Sequence, residues 1–344
     1  MTGTVSSAIA FFNNKGGVGK TTLACNFAAF AAEGDRRVLI VDLDPQCNST
    51  QLVLSEDQWS AIYEDVGRSE NQTILAPLTP IRRGDSSVDV DALPVVRSDR
   101  FGVDLLPGHP SLSTFEDLLG ASWSDFGGGT AGGARRTAWL LALRRTLDES
   151  YDMIVIDASP SLGAINRSAL IGADYFVTPM AADLFSLYAL DNIATWLHRW
   201  LGGYARSRTA SQDELAATGD EDLLPETLPI RAGFLGYTIQ QYVSRASGSG
   251  ERRQVQAYDR HRDEIPTHAA SLRELSLYEN GDLDLGTVPN MFAMIPLAQS
   301  VHAPIMSLTT SDGLRGAQVS QQERYAEQLR AIFDDVLSRV GHDG

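Results

Sequence analysis

The ten residues Asn13-Asn14-Lys15-Gly16-Gly17-Val18-Gly19-Lys20-Thr21-Thr22 constrain this chain more than any other stretch. The apolar run Ala8–Phe12 precedes them, and an alanine-rich run from Lys20 to Glu33 follows and stops at Gly34. A short apolar run, a glycine-rich turn and a helical pattern, in that order, make a strand–loop–helix unit. Glycine admits backbone angles and close approaches that other residues resist, so the N–H groups of such a loop can wrap an anion. The helix that follows aims the positive end of its dipole at the same point. On this reading Gly16, Gly17, Val18, Gly19 and Thr22 hold a phosphate chain, Lys20 reaches its outer oxygens, and the Thr21 hydroxyl ligates Mg2+. Asn14 stands where the strict template has glycine, and an additional lysine, Lys15, comes early in the loop.

Two further segments end in acids. Val38-Leu39-Ile40-Val41-Asp42-Leu43-Asp44 reads as a buried strand whose carboxylates project into the crevice where α/β folds hold ligands. Asp42 and Asp44 are two apart and share a side if the strand persists. Met153-Ile154-Val155-Ile156 leads into Asp157, the pattern of a Walker B strand that holds its aspartate near Mg2+. Val103–Leu106, Tyr175–Thr178, Gly233–Ile239 and Met291–Ile295 are additional strand candidates; Arg135–Glu149, Ala189–Leu201 and Gln321–Val340 are helix candidates.

The strand candidates are nearly continuous in apolar residues, as strands covered on both faces require. Their alternation with helices predicts an α/β fold, a mostly parallel twisted sheet with helices on both faces, and the phosphate loop at the end of its first strand makes that fold the P-loop NTPase type. A single domain over 1–344 is expected, with insertions at 55–100 and 202–229 and a C-terminal helix at 321–340. The first insertion is polar and weakly periodic, the second reads as a mobile acidic loop, and Phe126–Gly133 as a flexible glycine-rich connector.

Composition narrows the chemistry. The net charge of −16 disfavours a strong polyanion binder unless basic residues are concentrated locally. Cys25 and Cys47 lack CxxC spacing, the six histidines form no HExxH pair, and Ser161 lies in no GxSxG elbow. No export signal or long apolar run is visible, so a cytoplasmic protein without membrane contact is expected.

Lys15-Gly16-Gly17-Val18-Gly19-Lys20-Thr21-Thr22 resembles the deviant Walker A motif of the ParA/MinD ATPases, whose signature is the early lysine. Asp42-Leu43-Asp44-Pro45-Gln46 resembles that family's second aspartate motif. Asp157-Ala158-Ser159-Pro160-Ser161 is similar to its DxPPS motif, with Ser159 replacing a proline, which implies a looser loop. Tyr175–Pro179 continuing to Asp183, Phe185 and Ser186, and Met294-Ile295-Pro296, extend the similarity over most of residues 8–310.

The resemblance implies ATP and Mg2+ as cofactors and an ATP-dependent homodimer in which Lys15 touches the partner subunit's nucleotide. It further implies that Asp44 orients or deprotonates the attacking water, that Asp42 supports the magnesium shell beside Thr21 and Asp157, and that Pro296 lies near the base. Slow hydrolysis stimulated by an adaptor protein, in DNA partition or cargo positioning, is the activity implied. A nucleotide-switched interaction module that does not touch DNA is the alternative. Family members of the partition type bind nonspecific DNA through C-terminal basic residues, and Arg245, Arg252, Arg253, Arg260 and Arg262 could form such a patch here. They could equally be solvated faces paired with Glu251, Asp259, Asp263 and Glu264. The last helix mixes acids with arginines on its polar side, which argues against a MinD-type membrane anchor.

Overall fold

The computed structural model describes residues 6–241, 249–278, 281–291 and 293–340, with residue 66 and residues 249–258 given by backbone alone. Eight strands form one sheet: β1 (Ser7–Phe11), β2 (Val38–Asp42), β3 (Val96–Ser98), β4 (Val103–Leu106), β5 (Met153–Asp157), β6 (Tyr175–Ala181), β7 (Phe234–Gln240) and β8 (Asp284–Val288). Their order is β3-β4-β2-β5-β1-β6-β7-β8, and every pairing is parallel except β3 with β4.

Side chains alternate across a strand, and this alternation sorts the central strands between two cores. Ala8, Ala10, Leu39, Val41, Ile154 and Ile156 face one core. Ile9, Phe11, Val38, Ile40, Met153 and Val155 face the other. The second core holds the helix Lys20–Ala32 and the C-terminal helix Ala317–Val340, joined through Phe27 and Phe333 with ring centroids 5.6 Å apart. The helices Leu112–Gly127, Trp139–Leu147, Ala164–Ile171 and Leu184–Ala217 cover the first. By the same alternation Asp42 and Asp157, paired in register at the ends of β2 and β5, point toward the face that carries helix Lys20–Ala32.

Several expectations need correction. Met291–Ile295 is not a strand: the short helix Met294–Ser300 begins there, and the edge strand is the preceding Asp284–Val288. That strand is masked in the sequence by Asp284 and by Gly286, whose φ of +121° is open only to glycine and whose missing Cβ would stand 3.1 Å from Ile332 Cγ1. The weakly periodic residues 55–100 contain helices Glu56–Tyr63 and Leu75–Arg82, the latter burying Leu75, Leu78 and Ile81, and strand β3.

Residues 202–217 are no acidic loop; they continue the 34-residue helix Leu184–Ala217, whose Tyr204, Ser211 and Leu215 are buried. Glu214 on this helix accepts from the Ala131 amide and Asp220 just beyond it pairs with Arg135, whereas Glu221, Asp222 and Glu226 are exposed in the irregular stretch that follows. Within Phe126–Gly133, Gly129 and Gly133 serve close packing. A Cβ on Gly133 would stand 2.4 Å from the Phe126 amide nitrogen. Among the described residues no helix is long and apolar enough to cross a membrane.

Candidate nucleotide-binding site

The loop after β1 takes the shape that its glycines allow. Gly17 and Gly19 have φ of +74° and +77°, and a Cβ on Gly19 would stand 2.6 Å from Gln240 Oε1. Asn14, at the template's first glycine position, is absent from the residues with positive φ, so nothing in the backbone there demands glycine. Asn13 pins the start of the loop: its side chain donates to the Pro179 carbonyl at 2.6 Å and accepts from the Lys15 amide at 2.9 Å. Residues 15–22 line a cleft of about 410 Å³ together with Asp44, Gln46, Asn48, Leu52, Pro160 and Gln299.

At the floor of this cleft the acids converge as the strand register dictates. Lys20 Nζ donates to Asp157 Oδ1 at 3.1 Å, Thr21 Oγ1 to Asp157 Oδ2 at 2.8 Å, and Ser49 Oγ to the same oxygen at 2.7 Å. Asp157 is fully buried and Lys20 nearly so. Asp42 beside it accepts from the Thr50 hydroxyl at 2.7 Å and the Thr50 amide at 2.9 Å. Burial, and then the neighbouring Asp157 charge, push the Asp42 carboxyl up to about 7. Asp42 therefore orders the segment after β2 and does not line the cleft. Asp44 does, accepting from the Gln46 amide at 3.0 Å, with its carboxyl raised by burial.

An oxygen-only set of a hydroxyl and a carboxylate, Thr21 and Asp157, suits a hard cation such as Mg2+, which takes few protein ligands and completes its shell with phosphate and water. Two buried acids side by side also call for positive charge, which among the described residues Lys20 alone supplies. The residues present thus fit the metal.

Lys15 lies apart from that floor. Its ammonium pairs with Asp183 and donates to Ser186 Oγ at 3.2 Å. Asp183 caps the helix Leu184–Ala217 by accepting from the Ser186 amide at 3.0 Å. Burial would raise its carboxyl, but the Lys15 ammonium and the Ser186 amide outweigh that and hold it below the usual range. Immediately beyond the cap stand the exposed apolar side chains Leu184, Phe185 and Tyr188, Phe185 at 72% exposure.

The loop after Asp157 is tied down rather than loosened by Ser159. Asn166 donates to the Ser159 and Ser161 carbonyls, both at 2.7 Å, and accepts from the Ser159 amide at 3.2 Å. Pro296 is exposed and lines neither the cleft nor the small apolar slot beside it. That slot is walled by Leu23, Thr238, Val288, Met291 and Ile295, and shares Val18, Gly19 and Thr22 with the cleft. Its 20 Å³ holds a water at most as it stands. Of the arginine group, Arg245 lies outside the described residues, Arg252 and Arg253 are given by backbone alone, and Arg260 is bridged to Glu264 at 3.0 Å.

Reasoning from sequence passed over Ser49, Thr50 and the Lys15–Asp183 pair as site members. Ser49 and Thr50 could have been found from their place in the helix that directly follows the second acidic motif.

A family model described as an AAA domain matches residues 6–201. The chromosome-partitioning ATPase Soj of Thermus thermophilus is 34% identical over 187 residues, 54% of this chain and 58% of that protein. The chromosome partitioning protein ParA of Caulobacter vibrioides is 31% identical over 197 residues, 56% of this chain and 63% of that protein. The matches thus span less than two thirds of these relatives. A crystal structure of protein DIP2308 from Corynebacterium diphtheriae superposes with a TM-score of 0.72 at 35% identity, over 98% of this chain and all of that one. With its phosphate loop, its two acidic strand ends and a family match over more than half its length, this chain belongs to the ParA/MinD family of P-loop ATPases.

Proposed function

We propose that this protein is a Mg·ATP-dependent switch in which two copies close over bound nucleotide and slow hydrolysis separates them. The observation that carries the reading is the position of Lys15. It lies on the rim of the phosphate cleft, held by Asp183, at the edge of the exposed patch formed by Leu184, Phe185 and Tyr188. Exposed apolar side chains beside a charged rim suit a surface that is covered in one state and free in another.

In this mechanism the two lysines exchange partners. Lys20 turns from Asp157 to the β- and γ-phosphates, which frees Asp157 and the Thr21 hydroxyl for the metal. Thr21 and Asp157 would hold Mg2+, which would supply positive charge to the phosphate oxygens. Asp44, at the cleft wall, accepts a hydrogen bond from water and aligns it with the γ-phosphate. Lys15 leaves Asp183 and stabilises the transferring group in the opposite subunit. The loop braced by Asn166 keeps Pro160 against the cleft.

Sedimentation velocity tests the switch. The wild type should run as a monomer without nucleotide and as a dimer with Mg2+ and a slowly hydrolysed ATP analogue, while Phe185→Asp should stay monomeric with undiminished nucleotide affinity. A wild type that remains monomeric when saturated, or a Phe185→Asp variant that dimerises normally, would overturn the reading.

The named relatives act in chromosome partitioning, which supports partition or cargo positioning as the process served. The net charge of −16 and the Arg260–Glu264 bridge favour the second reading, a switch that engages proteins alone. A gel shift with nonspecific duplex distinguishes them, because ATP-dependent binding that falls steeply with salt belongs to the first.

A further inference from the structure

On the sheet face opposite the helix Lys20–Ala32 lies a second cleft, of about 340 Å³, that plays no part in the nucleotide site. One wall is the stripe Trp196, Arg199, Trp200, Gly203, Arg206 and Ser207 of the helix Leu184–Ala217. These positions recur at intervals of three and four and so share a helix face. Gly120, Trp123 and Ser124 of the helix Leu112–Gly127 form the other wall, and Arg167 closes it.

The aromatic rings form an array. Trp196 and Trp200 stack with centroids 5.6 Å apart and planes at 12°, and Trp123 meets Trp200 edge-on at 6.1 Å. The Arg167 guanidinium lies 6.0 Å from the Trp123 ring centroid.

Three properties mark this cleft as built to receive something. Arg167, Arg199 and Arg206 all line it, no carboxylate lines it, and among the described residues none of the three makes a salt bridge. Glu116, the acid that acts on Arg167, is engaged by the Ala164 and Ile165 amides. Second, the wall holds buried donors without an acceptor: the Trp200 indole N–H, in a residue 7% exposed, and Arg167 Nε. Third, glycine keeps it open. A Cβ on Gly120 would meet nothing within 4 Å, and one on Gly203 only an Arg206 nitrogen at 4.0 Å, although glycine inside a helix is unfavourable.

We propose that this cleft binds a short acidic peptide segment of a partner protein, with an aromatic side chain between its carboxylates. In a chain of net charge −16, three unpaired arginines around indole rings select an anion with an apolar body. Arg199 and Arg206 are seven residues apart, about 10 Å along the helix. An extended peptide advances about 3.3 Å per residue and shows every second side chain on one face, so carboxylates four positions apart, about 13 Å, with an aromatic midway, come within reach of the two long arginine side chains. The side chain between them then lies on Trp196 and Trp200. A long polyanion fits less well, since beyond the cleft it meets the acidic remainder of the surface. The site does not rest on the nucleotide reading and is tested without nucleotide.

The probe is the acetylated, amidated hexapeptide Asp-Glu-Phe-Gly-Glu-Asp, titrated against intrinsic tryptophan fluorescence and by calorimetry. Binding to the full-length protein should be at least about tenfold tighter than for the same peptide with lysine in place of its acids, and should weaken as salt rises. The double variant Arg199→Gln, Arg206→Gln should lose at least about tenfold in affinity. Gly203→Leu, which fills the cleft and favours the helix, should abolish binding while thermal stability is kept. Equal binding of the acidic and basic peptides, affinity unchanged in Gly203→Leu, or no binding to the wild type would each overturn the proposal. So would a single-stranded oligonucleotide that binds here more tightly than the peptide, or self-association that Gly203→Leu suppresses.

Discussion

Lys20→Ala should reduce ATP affinity by about 100-fold or more, beyond the reach of ordinary calorimetric titration. A hydrogen bond to a charged group contributes about 1.5–3 kcal/mol, Lys20 is placed to make more than one, and 1.4 kcal/mol is a factor of about ten. The substitution has a second cost, because among the described residues Lys20 is the one cation bonded to Asp157, which adjoins Asp42. Removing one partner of a buried pair typically costs about 3–5 kcal/mol, so the variant should also melt earlier. Lys20→Gln keeps a donor near Asp157 and separates the two effects: it should restore part of the stability and little of the affinity. Full ATP affinity in a folded Lys20→Ala protein would remove the loop from nucleotide binding.

Lys15→Ala should behave oppositely at the binding step. Lys15 is tied to Asp183 in its own chain and bonds nothing at the cleft floor. ATP affinity should therefore change by only a few-fold, whereas nucleotide-dependent dimerisation should disappear. Hydrolysis should fall by about 10³ or more, the range seen when a cationic side chain supplied across an interface is withdrawn. Phosphate release under saturating Mg·ATP, with light scattering on the same samples, measures both. Normal turnover in this variant would leave the proposed role in the opposite subunit without support.

How far the sequence foretold these features depended on whether their causes were local. The phosphate loop, β1, β2, β5 and the first helix were legible because apolar runs covered on both faces and a lysine–glycine loop are consequences of neighbouring residues. Asp42 and Asp157 were legible as candidates, but parity along the sequence set Asp42 with Asp44, whereas β2 ends at Asp42 and its register with β5 sets Asp42 beside Asp157. Their division of labour was not legible. That Asp42 is occupied by Thr50 while Asp157 takes Lys20, Thr21 and Ser49 depends on how the segment after β2 packs.

Met291–Ile295 misled because an apolar run of that length fits a short buried helix as well as a strand. Met294 and Ala298, four apart, are the buried positions of the helix Met294–Ser300. Glu214 and Asp220 looked solvated because their partners, the Ala131 amide and Arg135, are remote in sequence. Lys15 and Asp183 are likewise brought together only by the pairing of β1 with β6.

That Asp42 and Asp157 are set by β2 and β5 has a consequence for how this protein tolerates motion. Surface segments of a protein open at little free-energy cost, whereas central strands separate only when the molecule unfolds as a whole. The two carboxylates sit in the most protected part of the molecule, while Lys15 and Asp183 occupy its rim. Thermal fluctuation and neighbouring substitutions can thus disturb the lysine that would report on a second subunit, yet leave the two buried acids in place until the sheet itself comes apart.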